Sequence, residues 1–261
     1  KGGIGMYTID MNCDLGESFG VYSLGRDQEI IPLVSSVNIA CGFHAGDPSV
    51  MRQTVALAMK NKTAIGAHPG FFDLLGCGRR KMQVSSQAAY DLVLYQIGAL
   101  HGFVRAAGGR LHHVKPHGAL YNMAAVDENL ARAVAEAVYD VDPTLILYGL
   151  AGSHSLRAAQ SIGLRCAAEV FADRAYQADG SLLPRNLPGA VLTDEAACIR
   201  QVLMMVKTGK VQAGDGSQIG VQADTICIHG DGPMALAFAQ QLRLTLEQEN
   251  VQIKAAAICQ E

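Results

Sequence analysis

Short polar clusters recur along this 261-residue chain, each combining His, Asp, Glu, Lys or Arg with glycine or proline. In order they are Asn12-Cys13-Asp14-Leu15-Gly16-Glu17, the run from Asn38 to Asp47 that contains His44, Gly66-Ala67-His68-Pro69-Gly70-Phe71, Lys115-Pro116-His117-Gly118, Glu169-Val170-Phe171-Ala172-Asp173-Arg174 and His229-Gly230-Asp231. Such residues take and return protons near neutrality and hold developing charge, which is the work of general acid–base catalysis. Each alone has a bland explanation: Asp14 as a turn or cap residue, His68 satisfying a carbonyl, Lys115 as a snorkelling lysine. Gathered at one rim, they would shift one another's proton affinities, and a purely structural rim gains nothing from so many desolvated charges.

By ligand type, Asp14, His44, His68, His117 and His229 also suit a divalent transition metal. No spacing enforces such a site, and the adjacent His112 and His113 should point to opposite faces of a strand, so no tightly bound metal is expected. The chain has no G-x-x-x-x-G-K-[ST], G-x-G-x-x-G, H-E-x-x-H or G-x-S-x-G, which removes the main support for P-loop, dinucleotide, zincin and serine-hydrolase readings. Arg79, in Gly76-Cys77-Gly78-Arg79-Arg80-Lys81, offers a fork for phosphate or carboxylate, although a glycine turn beside a solvated basic patch is the commoner outcome. Gly149-Leu150-Ala151-Gly152-Ser153, at a strand-to-helix turn, offers an anion seat on a helix N-terminus or only a tight turn.

Elements that would position these clusters alternate along the chain. Strands are expected at Thr8 to Cys13, Ser36 to Ala40, Ala64 to Ala67, His113 to Lys115, Leu145 to Tyr148, Cys166 to Val170 and Thr225 to Ile228, and nearly every one ends in a polar cluster. Helical spacing predicts helices from Asp47-Pro48 to Met59, from Gln87 to Ala107 with Ser85 as cap, near Asn129 to Val138, near Ser153 to Ile162, around Ile199 to Val206 and around Ala235 to Leu246. Ala172 to Gly189 has no period and reads as a long functional loop. Strict β–α alternation gives parallel, right-handed crossovers. A closed seven-stranded β/α barrel, TIM-barrel-like, gathers all the strand C-termini at one mouth, whereas an open sheet concentrates function at one switch point.

Composition agrees with a soluble α/β enzyme. Hydrophobic residues make up 49 % and charged residues 17 %, the formal net charge is −3, and Lys and Arg form no block that would mark a nucleic-acid or membrane surface. The seven cysteines are odd in number and lack a C-x-x-C pair, which fits reduced thiols in the cytoplasm. Residues 1–5 read as a remnant ahead of Met6, leaving residues 6–261 as a single barrel domain.

The clusters resemble, in order and nearly from end to end, the LamB/YcsF family, the A subunits of 5-oxoprolinase. The resemblance rests on Asn12 to Gly20, Asn38 to Pro48, Gly66 to Phe71, Val114-Lys115-Pro116-His117-Gly118-Ala119-Leu120-Tyr121-Asn122, Glu169 to Arg174 and Ala223 to Asp231. Phe72, Cys77 and Asn61-Lys62 depart from the usual pattern without removing a titratable rim residue. The resemblance implies a seven-stranded barrel akin to the glycoside hydrolase and polysaccharide deacetylase fold. It also implies ATP-dependent opening of 5-oxoproline to L-glutamate with partner subunits B and C, with ATP, and Mg as its counter-ion, used by the complex. On this reading Asp14 or His44 is the base for water, His117 gives a proton to the leaving nitrogen, and Lys115 with Arg174 stabilises developing charge. Glu17, His68, Arg79, Asn122, Glu169, Asp173, His229 and Asp231 would orient the substrate and these groups. Metal-dependent deacetylation or hydrolysis of a carbohydrate is an alternative enzyme reading, and a non-catalytic ligand-binding role is a third. Whether ATP binds this chain or a partner, and whether the chain forms a homo-oligomer, stays open.

Overall fold

The computed structural model describes residues 7–185, 187–229 and 235–257, with His229 described by its backbone alone. The elements in chain order are β1 (Tyr7–Leu15), α1 (Asp27–Ile30), β2 (Ser36–Ala40), α2 (Pro48–Asn61), β3 (Ala64–His68), α3 (Ser86–Ala106), β4 (Leu111–Val114), α4 (Gly118–Val126), α5 (Glu128–Val141), β5 (Ile146–Leu150), α6 (His154–Ser161), β6 (Arg165–Phe171), α7 (Glu195–Thr208), β7 (Lys210–Gln212), β8 (Gln218–Gly220), β9 (Thr225–His229), α8 (Ala235–Gln248) and β10 (Val251–Ile253). Strands β1 to β6 run parallel in order, β9 lies between β6 and β1, and the ring closes. The seven expected strands are the seven of this barrel. Two additions were not foreseen: β10 lengthens the sheet beside the start of β1, pairing Tyr7 with Val251, and β7 and β8 form a separate antiparallel hairpin.

Period-2 geometry sorts β1 into two faces. Ile9, Met11, Cys13 and Leu15 join the hydrophobic core with α2, α3, α5 and α8 residues such as Val55, Ile97, Val134 and Leu242. Asp10, Asn12 and Asp14 turn the other way and hydrogen-bond across the lumen. All five residues of β2 are buried, as expected of a parallel strand under helices.

The helix starts follow their local chemistry. Asp47 caps α2 by accepting from the Ser49 and Val50 amides, with Pro48 at the first position, and Ser85 caps α3 by accepting from the Ala88 amide. Helix α4 escaped the periodicity reading because it has no polar stripe: Ala119, Leu120, Tyr121, Ala124 and Ala125 are all buried. The aperiodic segment after β6 is a loop, as expected, pinned by bridges between Arg174 and Val191 and between Tyr176 and Leu182. From α7, the Gln201 side-chain amide donates to the carbonyls of Phe171, Ala172 and Arg174. No disulfide joins the six described cysteines, and among the described residues no helix is long and apolar enough to cross a membrane.

Candidate active site

The lumen carries a continuous polar network. At its lower level Asp10 accepts from the hydroxyls of Ser36 and Thr225, and Thr225 in turn accepts from the Asn12 side-chain amide at 2.7 Å. Asn12 also donates to Glu169 Oε1 at 3.0 Å, and Asn38 donates to both Asn12 Oδ1 and Asp14 Oδ1. His113 completes this level by donating from Nε2 to Asn38 Oδ1 at 2.7 Å.

Lys115 stands just above, 2 % exposed, its ammonium 2.9 Å from Asp14 Oδ1, 2.8 Å from Glu169 Oε1 and 3.1 Å from Cys227 Sγ. Burial works against the ammonium, yet Asp14 and Glu169 more than offset it and hold its proton affinity well above the ordinary lysine range. The Cys227 thiol is pushed well up by burial and stays protonated.

At the mouth three imidazoles converge. His44, at the bend after β2, stacks on His117 with ring centroids 3.8 Å apart and planes 5° from parallel. His68, the last residue of β3, meets both edge-on and places Nε2 3.3 Å from Asp14 Oδ2 and 2.8 Å from His117 Nδ1. Glu17 Oε1 lies 3.6 Å from His44 Nε2 and 3.9 Å from His117 Nδ1. The outer nitrogens are tied to backbone: His68 Nδ1 donates to the Lys115 carbonyl at 2.7 Å and His117 Nε2 to the Cys77 carbonyl at 2.8 Å. Neither ring nitrogen of His44 has a hydrogen-bond partner among the described residues. Burial, reinforced by His68, depresses the proton affinity of His44 well below the ordinary histidine range, and burial with His44 and His68 does the same to His117. Both rings are therefore neutral at physiological pH.

This crowding demands glycine nearby. A Cβ on Gly78, whose φ is +63°, would lie 2.7 Å from His44 Cβ and 2.8 Å from His117 Cδ2.

The cluster opens on a cleft of about 610 Å³ lined by Asp14, Glu17, His68, Lys115 and His117 at its base. Arg79, Lys81, Arg174 and Arg185 line the same cleft, and Leu150, Phe171 and Leu182 supply apolar wall. Such a pocket suits a small anionic ligand. A cleft of similar size, about 660 Å³, lies at the N-terminal ends of the strands beside Thr8, Arg165 and Lys254, and none of the clustered histidines reaches it.

Asp14, Glu17, His44, His68, Lys115, His117 and Glu169 are thus brought together, and Arg79, Asn122 and Arg174 line the cleft. Arg174 also spends hydrogen bonds on the Ala190 and Leu183 carbonyls, which anchors the loop after β6. Asp173 is not among the residues lining the cleft: its carbonyl accepts from the Leu192 amide, and its carboxylate adds to burial in raising the proton affinity of Cys198. The backbone of His229 pairs with Asp14 in the β1–β9 register, while its side chain and Asp231 lie outside the described residues. His112 and His113 diverge to Ala256 and Asn38 as opposite faces require, but their Nδ1 atoms still approach to 3.0 Å. Sequence reasoning quoted Asn12, Asn38, Thr225 and Cys227 within its motifs but gave them no role; their signal was a polar or small residue at every second position of a buried strand.

A family model described as LamB/YcsF family matches residues 9–261. The A subunit of 5-oxoprolinase from Geobacillus thermodenitrificans is 61 % identical over 250 residues, 96 % of this chain and 97 % of that protein. The protein of the same name from Bacillus subtilis is 58 % identical over 96 % of this chain and 97 % of its own length. Among solved structures, a lactam utilization protein from Thermus thermophilus superposes with a TM-score of 0.90 at 49 % identity, covering 95 % of this chain and 99 % of that one.

Proposed function

We propose, for a chain that belongs to the LamB/YcsF family, that the mouth cluster opens the lactam of 5-oxoproline to L-glutamate within an ATP-dependent 5-oxoprolinase. The relatives' name supports the substrate, and the word "subunit" in that name supports partners, here subunits B and C. The observation that carries the reading is Asp14 set between the buried Lys115 ammonium and the imidazole of His68 at the base of a cleft with a cationic rim.

A five-membered lactam is an unreactive amide. Phosphorylation of its carbonyl oxygen by ATP, with Mg as counter-ion, makes the ring carbon electrophilic; on this reading the partners carry out that step, which the lack of a P-loop motif in this sequence supports. In the barrel, water held against Asp14 Oδ2 and His68 loses its proton to Asp14 as its oxygen bonds to the ring carbon. Asp14 passes that proton to the ring nitrogen; as the C–N bond breaks and the new hydroxyl becomes the carbonyl of an acyl phosphate, Asp14 takes the hydroxyl proton and hands it to the departing nitrogen. A second water releases phosphate and glutamate from it. Lys115 keeps Asp14 oriented and stabilises charge developing on oxygen, and Arg79 and Arg174 face the substrate's anionic groups. His117 is badly placed as the proton donor to nitrogen, because its N–H is engaged by the Cys77 carbonyl, so Asp14 serves in both directions.

The test is glutamate release in the reconstituted complex of this chain with subunits B and C, supplied with 5-oxoproline and ATP. Asp14→Asn should lower the rate by about 10²–10⁴-fold in a chain that still unfolds cooperatively on heating. Undiminished turnover would make this chain a non-catalytic presenter of the intermediate, and no glutamate from the wild-type mixture would end the oxoprolinase reading.

A further inference from the structure

Hydrogen-bond logic at the mouth leaves a contact that protein groups alone do not satisfy. The Lys115 carbonyl only accepts, so His68 carries its proton on Nδ1 and turns the lone pair of Nε2 inward. The Cys77 carbonyl likewise fixes the His117 proton on Nε2 and turns the lone pair of Nδ1 inward. These two lone pairs face each other at 2.8 Å. A cation must lie between them, either a proton or a metal ion.

A shared proton would satisfy that pair alone. It would leave His44, 1 % exposed, with neither nitrogen bonded, and it would leave Glu17 Oε1 directed at His44 and His117 from 3.6 and 3.9 Å. One metal ion takes a ligand atom from each of the four residues and leaves only the second nitrogen of His44 without a partner. The ligating atoms of Glu17, His44, His68 and His117 lie within 4.8 Å of one another. That spacing, with the 2.8 Å contact, brackets the edge of about 3.3 Å set by a tetrahedron of 2.0–2.1 Å bonds. The outer nitrogens of His68 and His117 already donate to backbone carbonyls, the arrangement that orients imidazole ligands around metals. His112 and His113 also bring two nitrogens to 3.0 Å, but no further ligand joins them, and the cluster at the mouth is the one group of three or more such ligands among the described residues.

We propose that Glu17, His44, His68 and His117 form a binding site for one divalent transition-metal ion such as zinc or cobalt, contrary to the expectation from sequence spacing. Three imidazoles with one carboxylate select borderline ions over the hard, oxygen-seeking magnesium and calcium. If the ring-opening reading holds, such an ion would acidify a bound water beside Asp14 Oδ2.

The chain, stripped with a chelator and dialysed, is titrated with Co²⁺ and Zn²⁺ in the absence of ATP and 5-oxoproline, so the result is independent of the oxoprolinase assay. One ion per chain with micromolar or tighter affinity, a visible Co²⁺ spectrum of a tetrahedral or five-coordinate site, and a raised Tm are expected. Glu17→Gln and His68→Gln should each weaken binding by at least about tenfold, and His154→Gln should not. Should a ligand variant fail to fold, the Co²⁺ spectrum of the wild-type chain decides alone. Absence of stoichiometric binding at 100-fold excess metal, tighter binding of Mg²⁺ than of Zn²⁺, or unchanged affinity in both ligand variants would overturn the proposal.

Discussion

Lys115 keeps its charge in a barrel lumen because two carboxylates lie within 2.9 Å of it, and the dependence is mutual. Glu169 is fully buried and Asp14 partly so, and removing the ammonium leaves negative charge facing negative charge. Lys115→Met should therefore destabilise the fold by about 3–5 kcal/mol, measured by urea denaturation. Adding Glu169→Gln to that variant should recover part of the loss. If the double variant is no more stable than the single, the ion-pair account of the lumen is wrong. The residue types at this centre were legible beforehand, since Asp14, His44, His68, Lys115 and His117 each end a strand or open the loop after it. Their partners Asn12 and Asn38 were not, because a buried asparagine in a strand looks like any polar residue until its neighbour across the lumen is known.

Strand β3 shows how an element is fitted to its neighbour. A Cβ on Gly66 would lie 2.1 Å from His113 Nε2 in β4, so glycine is what lets this ring cross the lumen to Asn38. Gly66→Ala should cost about 1–3 kcal/mol through overpacking and displacement of His113, read as a lower urea midpoint with unchanged slope. A wild-type midpoint in that variant would show that the ring relocates freely. Helices behaved differently from one another. The Asp47-Pro48 start of α2 and the Ser85 start of α3 were readable because caps are local chemistry. The short α4 was not readable, because burial on several sides erases the amphipathic period.

Across the whole molecule, neutral imidazoles buried in a closed barrel make stability depend on pH. Burial, then His112 and Lys115, hold the His113 proton affinity well below the ordinary histidine value. The depressed folded value means that below about pH 6.5 the unfolded chain binds a proton that the folded chain refuses. The stability from neutral His113 is thus fully present above that pH and falls on acidification, by about 1.4 kcal/mol per pH unit, until the folded-state value is reached. His113→Asn should show a shallower fall between pH 7 and pH 5, by about that slope, in denaturant titrations at each pH. Parallel curves for wild type and variant would mean that His113 is protonated in the folded barrel.

From the order of residues alone came the β–α alternation, the seven strands, the caps and the polar clusters at the strand ends, because each depends on neighbours within a few positions. Ring closure alone decided which clusters meet: it joined Glu17 to three histidines from the ends of separate strands, placed Lys115 between Asp14 and Glu169, and left Asp173 outside the cleft. Contacts such as Asn12 with Glu169, separated by 157 positions, are set by strand register and by which face each side chain takes, and neither quantity is local.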